Sequence, residues 1–143
     1  MKRRIFVLSI LFLSLTFFKC EDDNNVVGPL PGGVYNFVSF DEDGNKLVDG
    51  EFTIIYNDSK TFKGSWDFKA VGNLDNPRPQ VGTGELIGEI DENNQVSVDL
   101  NPGWADNNAY LNGKFGNGVL TGEWSWVGFA GIPEKGTFTA SEK

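Results

Sequence analysis

A chain of 143 residues with 20 acidic against 12 basic side chains carries a net charge of −8, and it contains one cysteine and no histidine. The acidic balance argues against nucleic acid as a partner, because phosphate backbones are held by a basic stripe. The commonest general base and metal ligand is missing, and a lone cysteine cannot close a disulfide within the chain, so neither a metal nor a cofactor is expected.

The chain opens with Met1, Lys2, Arg3 and Arg4, then an apolar run from Ile5 to Phe18 interrupted only by Ser9, Ser14 and Thr16. This is the charged and apolar pattern of a secretory signal peptide, predicted as a helix within residues 1–19. A spanning helix needs roughly 20 apolar residues, more than this run supplies, although a short anchor flanked by Lys19 is the alternative. Cys20 follows directly, and after it come Glu21, Asp22, Asp23, Asn24 and Asn25. A cysteine at the end of such a run resembles the acylated cysteine of bacterial lipoproteins. In place of the usual small and aliphatic residues before it stand Lys19 and Phe17, a looser pattern that is similar to that of the Bacteroidota. The resemblance implies a membrane attachment through lipid on Cys20, each buried acyl CH₂ contributing about 0.8 kcal/mol. The acidic run resembles the signal that sends such lipoproteins to the outer face of the outer membrane; read plainly, it is a solvated spacer. Removing residues 1–19 takes away four basic side chains and leaves eight against 20 acidic, a net charge of −12.

Residues 20–33 then form the acylated cysteine and a flexible linker, ending in Val26-Val27-Gly28-Pro29-Leu30-Pro31-Gly32-Gly33. From residue 34 to 143 the pattern alternates with period two, the signature of half-buried strands. In the first strand, Val34 to Phe40, Tyr35 and Phe37 compete with Val38 and Phe40 for the inside. Glu51 to Tyr56 sets Phe52, Ile54 and Tyr56 on one face. Phe62 to Ala70 is the clearest, with Phe62, Gly64, Trp66, Phe68 and Ala70 opposite Lys63, Ser65, Asp67 and Lys69. Thr83 to Ile90 aligns Gly84, Leu86, Gly88 and Ile90. Next come Val96, Val98 and Leu100; then Leu111, Gly113 and Phe115; then Leu120, Gly122, Trp124 and Trp126; and last Gly136, Phe138 and Ala140.

Eight strands joined mostly by turn-like segments predict an all-β, antiparallel, up-and-down barrel, whose closure leaves no free edge; a two-sheet β-sandwich is the alternative. Glycine recurs two residues before a bulky side chain, as in Gly64-x-Trp66, Gly84-x-Leu86, Gly113-x-Phe115, Gly122-x-Trp124 and Gly136-x-Phe138. Each glycine is expected to leave room for the side chain two residues on. The Gly-x-Trp habit resembles the calycin-type barrels, the lipocalin and avidin families, and implies that architecture without assigning ligand residues.

The longer connections, 72–82, 101–108 and 128–134, fall at one end with Asp41 to Asn45, opposite the N-terminal tether. They carry the candidate binding residues Pro77, Arg78, Pro79, Trp104, Asp106, Asn107, Phe129 and Ile132. Trp104 either caps the barrel or meets a partner. Asp41-Glu42-Asp43-Gly44-Asn45 hints at calcium, but Lys46 and Phe52 stand where an EF-hand has glycine and glutamate, and a turn explains it better.

The function expected is a non-catalytic binding module of the outer membrane, lipid-anchored and facing the cell exterior, with a protein or glycan at the long-loop end or a small hydrophobic ligand inside. Alternatives are an inhibitor of envelope-attacking hydrolases and a structural envelope component. Enzymatic activity is not expected, since Asp67 and Glu85 fall on the outer phase and the inner phase has no carboxylate pair.

Overall fold

The computed structural model describes residues 30–56, 58–71, 80–128 and 134–143. Eight strands, β1 (Gly33–Phe40), β2 (Lys46–Tyr56), β3 (Thr61–Ala70), β4 (Gly82–Ile90), β5 (Gln95–Asp99), β6 (Asn108–Gly116), β7 (Val119–Val127) and β8 (Glu134–Glu142), pair in sequence order. All neighbours are antiparallel and β8 closes back onto β1. The predicted up-and-down barrel is therefore the fold, and the sandwich is not. This is the architecture shared by calycin-type barrels.

The phase follows the alternation. Phe62, Trp66 and Phe68 are buried, while Lys63, Ser65, Asp67 and Lys69 face out. A lipid-facing barrel has the opposite order, with an apolar outside. In β1 the contest is won by Tyr35 and Phe37, which pair with Phe52 and Gly50 on the inner face of β2. The cost falls on Ser39, which follows them inside and whose Oγ is buried without a hydrogen-bond partner. β2 starts at Lys46, five residues earlier than its alternation predicts, because Gly50 places no side chain on the inner phase and hides the inward Val48.

The interior is filled with rings. Phe37 lies at its centre, stacked on Phe68 at 4.3 Å between ring centroids and on Phe138 at 5.7 Å, and tilted against Phe52 at 6.1 Å. Tyr35 stacks on Phe52, and Trp66 leans on Phe68.

The inner glycines make this packing possible, but not as expected. A Cβ on Gly84 would lie 2.6 Å from Cζ2 of Trp66, its pairing partner on β3. Gly136 likewise stands opposite Trp124, and a Cβ there would lie 2.7 Å from the indole nitrogen. Gly88 stands opposite Phe62. The ring that each of these glycines accommodates belongs to the neighbouring strand rather than to the residue two places on, because side chains directly across a pair are closer than those along a strand.

The C-terminal ends of β1, β3, β5 and β7 lie at one end of the barrel, as predicted; those of β2, β4, β6 and β8 lie at the other, together with Leu30. That second end is plugged. Leu30 is buried, its carbonyl accepts the Tyr56 hydroxyl at 2.6 Å, and the carbonyl of Pro31 accepts the Tyr35 hydroxyl at 2.7 Å. Barrel packing thus begins within the segment read as linker, at Leu30, while residues 20–29 lie outside the described residues. Burial raises the pKa of both tyrosines above the ordinary phenol value, and the negative charge of Glu142 adds to the rise at Tyr35.

Candidate functional site

With its interior occupied, the barrel offers its outer wall. Across β3 to β6 the register aligns Lys63, Ile87, Asp99 and Tyr110 in one row, and Thr61, Glu89, Ser97 and Asn112 in the next. Outward positions of these strands enclose a groove of about 440 Å³, lined by Thr61, Ile87, Glu89, Ser97, Asp99 and Tyr110. Gly88 and Phe62 form its floor. Ile87 is 49 % exposed and is the one large aliphatic side chain on the outward row of the groove.

Above the groove the wall thins. β4 and β5 pair over only four residues, Ile87 to Ile90 with Val96 to Asp99. Trp66 bridges the shortfall from inside: its indole N–H donates to the carbonyl of Leu100 at 2.7 Å and also approaches that of Glu85 at 3.2 Å.

The connection from Leu100 to Asn107 is ordered by its own chemistry. Asn101-Pro102-Gly103-Trp104 forms a tight turn, with Gly103 at φ 96° and the Trp104 N–H donating to the Asn101 carbonyl at 3.1 Å. Asn108 then pins the turn. Its fully buried side-chain nitrogen donates to Asp99 Oδ1 at 2.8 Å and to the Trp104 carbonyl at 3.0 Å, with a longer contact of 3.3 Å to the Asn101 carbonyl. Its Oδ1 is buried and unpartnered. Because the same amide nitrogen holds both Trp104 and Asp99, the turn is fastened to a groove residue.

Trp104 itself is 64 % exposed, so it does not cap the barrel. Asp106 and Asn107 are exposed beside it, Asn107 in the left-handed region at φ 56°. Pro77, Arg78, Pro79, Phe129, Ile132 and Cys20 lie outside the described residues. Ile87, Glu89, Asp99, Tyr110 and Asn108 were not foreseen as site residues. On a wet strand face each looks ordinary, and only the register brings them together.

Asp41 forms a turn rather than a cation loop. Its Oδ1 accepts the N–H of Asp43 at 3.0 Å and of Asn45 at 2.7 Å, and its Oδ2 accepts Asn45 Nδ2 at 2.9 Å. Asp91 repeats this at the other end of the barrel with Asn93 and Gln95, and Asp58 caps Lys60 and Thr61. These bonds hold all three carboxyls below the ordinary carboxylate range: at Asp41 the Asn45 amide dominates, at Asp58 the Lys60 N–H, and at Asp91 the Gln95 N–H. Asp67 and Glu85 are exposed on the outer wall.

No family model, curated protein or solved structure matches the chain.

Proposed function

We propose that this chain is a lipid-anchored, non-catalytic binding module of the bacterial cell envelope, whose ligand meets the outer wall around Trp104 and the adjoining groove instead of entering the barrel. Support for export and anchoring comes from the leader and from Cys20 with its acidic run. Nine residues separate Cys20 from Leu30, a tether with a reach of about 30 Å when extended. It joins the barrel at the end opposite Trp104, so Trp104 faces away from the membrane while the groove runs down the side wall.

One observation carries the binding reading. Trp104 is 64 % exposed, yet its backbone is fixed by the turn and by Asn108. A large ring held out in a preorganised loop is the kind of anchor from which binding surfaces draw much of their energy.

The test is native mass spectrometry of the lipidated chain and its Trp104→Ala variant, each taken from membranes of the expressing cell. Capture of a partner that the variant loses, with an unchanged unfolding midpoint, is the expected result. A small hydrophobic molecule retained equally by both forms would move the ligand into the barrel and overturn the reading.

A further inference from the structure

We infer that the groove takes a basic side chain, arginine or lysine, from an extended protein segment whose neighbouring residue rests on Trp104. The inference rests on the outer-wall reading above and assigns its ligand chemistry.

Unspent hydrogen-bonding capacity decides the class. The Ser97 hydroxyl lies 3.0 Å from Asn112 Oδ1, and the Thr61 hydroxyl lies 2.8 Å from Asp58 Oδ2, so both protons are committed to those acceptors. Asp99 Oδ1 is occupied by Asn108 and by the N–H of Asn101 at 2.9 Å. What the groove still offers is mainly acceptors, the carboxylate of Glu89 and the second oxygen of Asp99, together with the Tyr110 hydroxyl, which can donate or accept. A guanidinium brings five donors and an ammonium three, with no acceptor to satisfy in return. Sugar hydroxyls, each donor and acceptor at once, would find in the lining only the Tyr110 hydroxyl to donate to their own oxygens.

Charge and shape agree. Two carboxylates line the groove and no lysine or arginine does. Lys63, beside Ile87 in the register, stands just outside the lining. Ile87 supplies an apolar bed for the methylene stem of a long cationic side chain, with the half-buried Tyr110 beside it in the lining. Fixing Asp99 through Asn108 and Asn101 means that little side-chain freedom is lost when a cation binds there. A net charge of −12 after removal of the leader would steer basic segments toward the whole surface, most effectively at low salt.

The experiment measures binding to the full lipidated chain in neutral detergent by calorimetry. Three probes are compared: a blocked arginine–glycine hexapeptide, the same peptide with citrulline for arginine, and a linear glucose hexasaccharide. The arginine peptide is expected to bind, weakening as salt rises, and the citrulline peptide is not. Glu89→Gln should weaken the arginine peptide about three- to fivefold, in keeping with one partly exposed ion pair, and Glu89→Lys by about tenfold or more. Trp104→Ala should also weaken it, whereas Asp67→Asn, outside the groove lining, should leave it unchanged. Equal loss in Asp67→Asn would reveal diffuse attraction to an acidic surface and overturn the inference. Binding of citrulline equal to arginine would do the same. Hexasaccharide binding that Trp104→Ala abolishes would keep the outer-wall site and overturn only its cationic chemistry. Absence of arginine-peptide binding would also overturn the inference, leaving the outer-wall reading to its own test.

Discussion

Trp66 on β3 donates its indole N–H to the carbonyl of Leu100, 34 residues further along the chain, at 2.7 Å. The bond crosses the place where β4 and β5 have the shortest pairing of any two neighbours in the barrel. A core tryptophan thus does the joining that strand hydrogen bonds do elsewhere. Trp66→Phe keeps most of the apolar volume and leaves the Leu100 carbonyl without this donor. The expected loss is about 2–3 kcal/mol by chemical denaturation. Hydrogen exchange should quicken around residues 82–86 and 100–107 before it does in β1 or β7.

Gly84 and Gly136 are predicted to be intolerant of a methyl group, since each faces an indole across a strand pair. Gly84→Ala should cost about 1–3 kcal/mol through overpacking. Combined with Trp66→Leu, its cost should shrink, and a double-mutant cycle that showed simple additivity would refute the contact.

Asn108→Ala should release the turn that carries Trp104, at a cost of about 2 kcal/mol for its lost buried hydrogen bonds. Asn108→Asp should be worse, because a carboxylate cannot donate to Asp99 Oδ1. Trp104 itself contributes little to the fold, so Trp104→Ala should leave the denaturation midpoint unchanged.

Acid stability should depend on Asp41, Asp58 and Asp91, whose folded pKa values lie below the ordinary value of 3.8. A lowered folded pKa means stabilisation that is present above the unfolded value and lost as pH falls through the folded one. The barrel should therefore weaken below about pH 4, and Asp41→Asn with Asp91→Asn should flatten that decline. Denaturation midpoints between neutral and strongly acidic pH check this.

The tyrosines at the plugged end act in the opposite sense. Tyr35 and Tyr56 have raised pKa values, so the stability they give is present below the ordinary value of 10.0 and is lost as pH rises through the folded ones. Tyr56→Phe should cost about 1 kcal/mol through the lost bond to the Leu30 carbonyl. It should also flatten the decline of stability on the alkaline side.

Much of this fold is legible in the residues themselves, because a wet outside and an aromatic inside force a clean alternation in β3, β4, β7 and β8. Asn117-Gly118, both with positive φ, announces the tight β6–β7 hairpin. β1 resists reading because both its phases carry large apolar residues, and the choice depends on partners in β2 and β8. Of the candidate site, Trp104 stands out as an aromatic in a polar connection. Ile87 and Glu89 do not, since one outward isoleucine and one outward glutamate gain meaning only from what lies across the register.

The first and last strands are neighbours, and the N–H of Lys143 donates to the Val34 carbonyl at 2.9 Å, so the two ends of the barrel chain lie side by side. A short bridge between them would make a circle, which could be reopened within the Asp41 to Asn45 turn without breaking a strand. The new N-terminus would then emerge at the same end of the barrel as Trp104, across the rim from it, and a leader grafted there would hang the barrel upside down. Such an inverted molecule keeps every interior contact while turning Trp104 toward the membrane, which separates what the fold can do from where it must be held to do it.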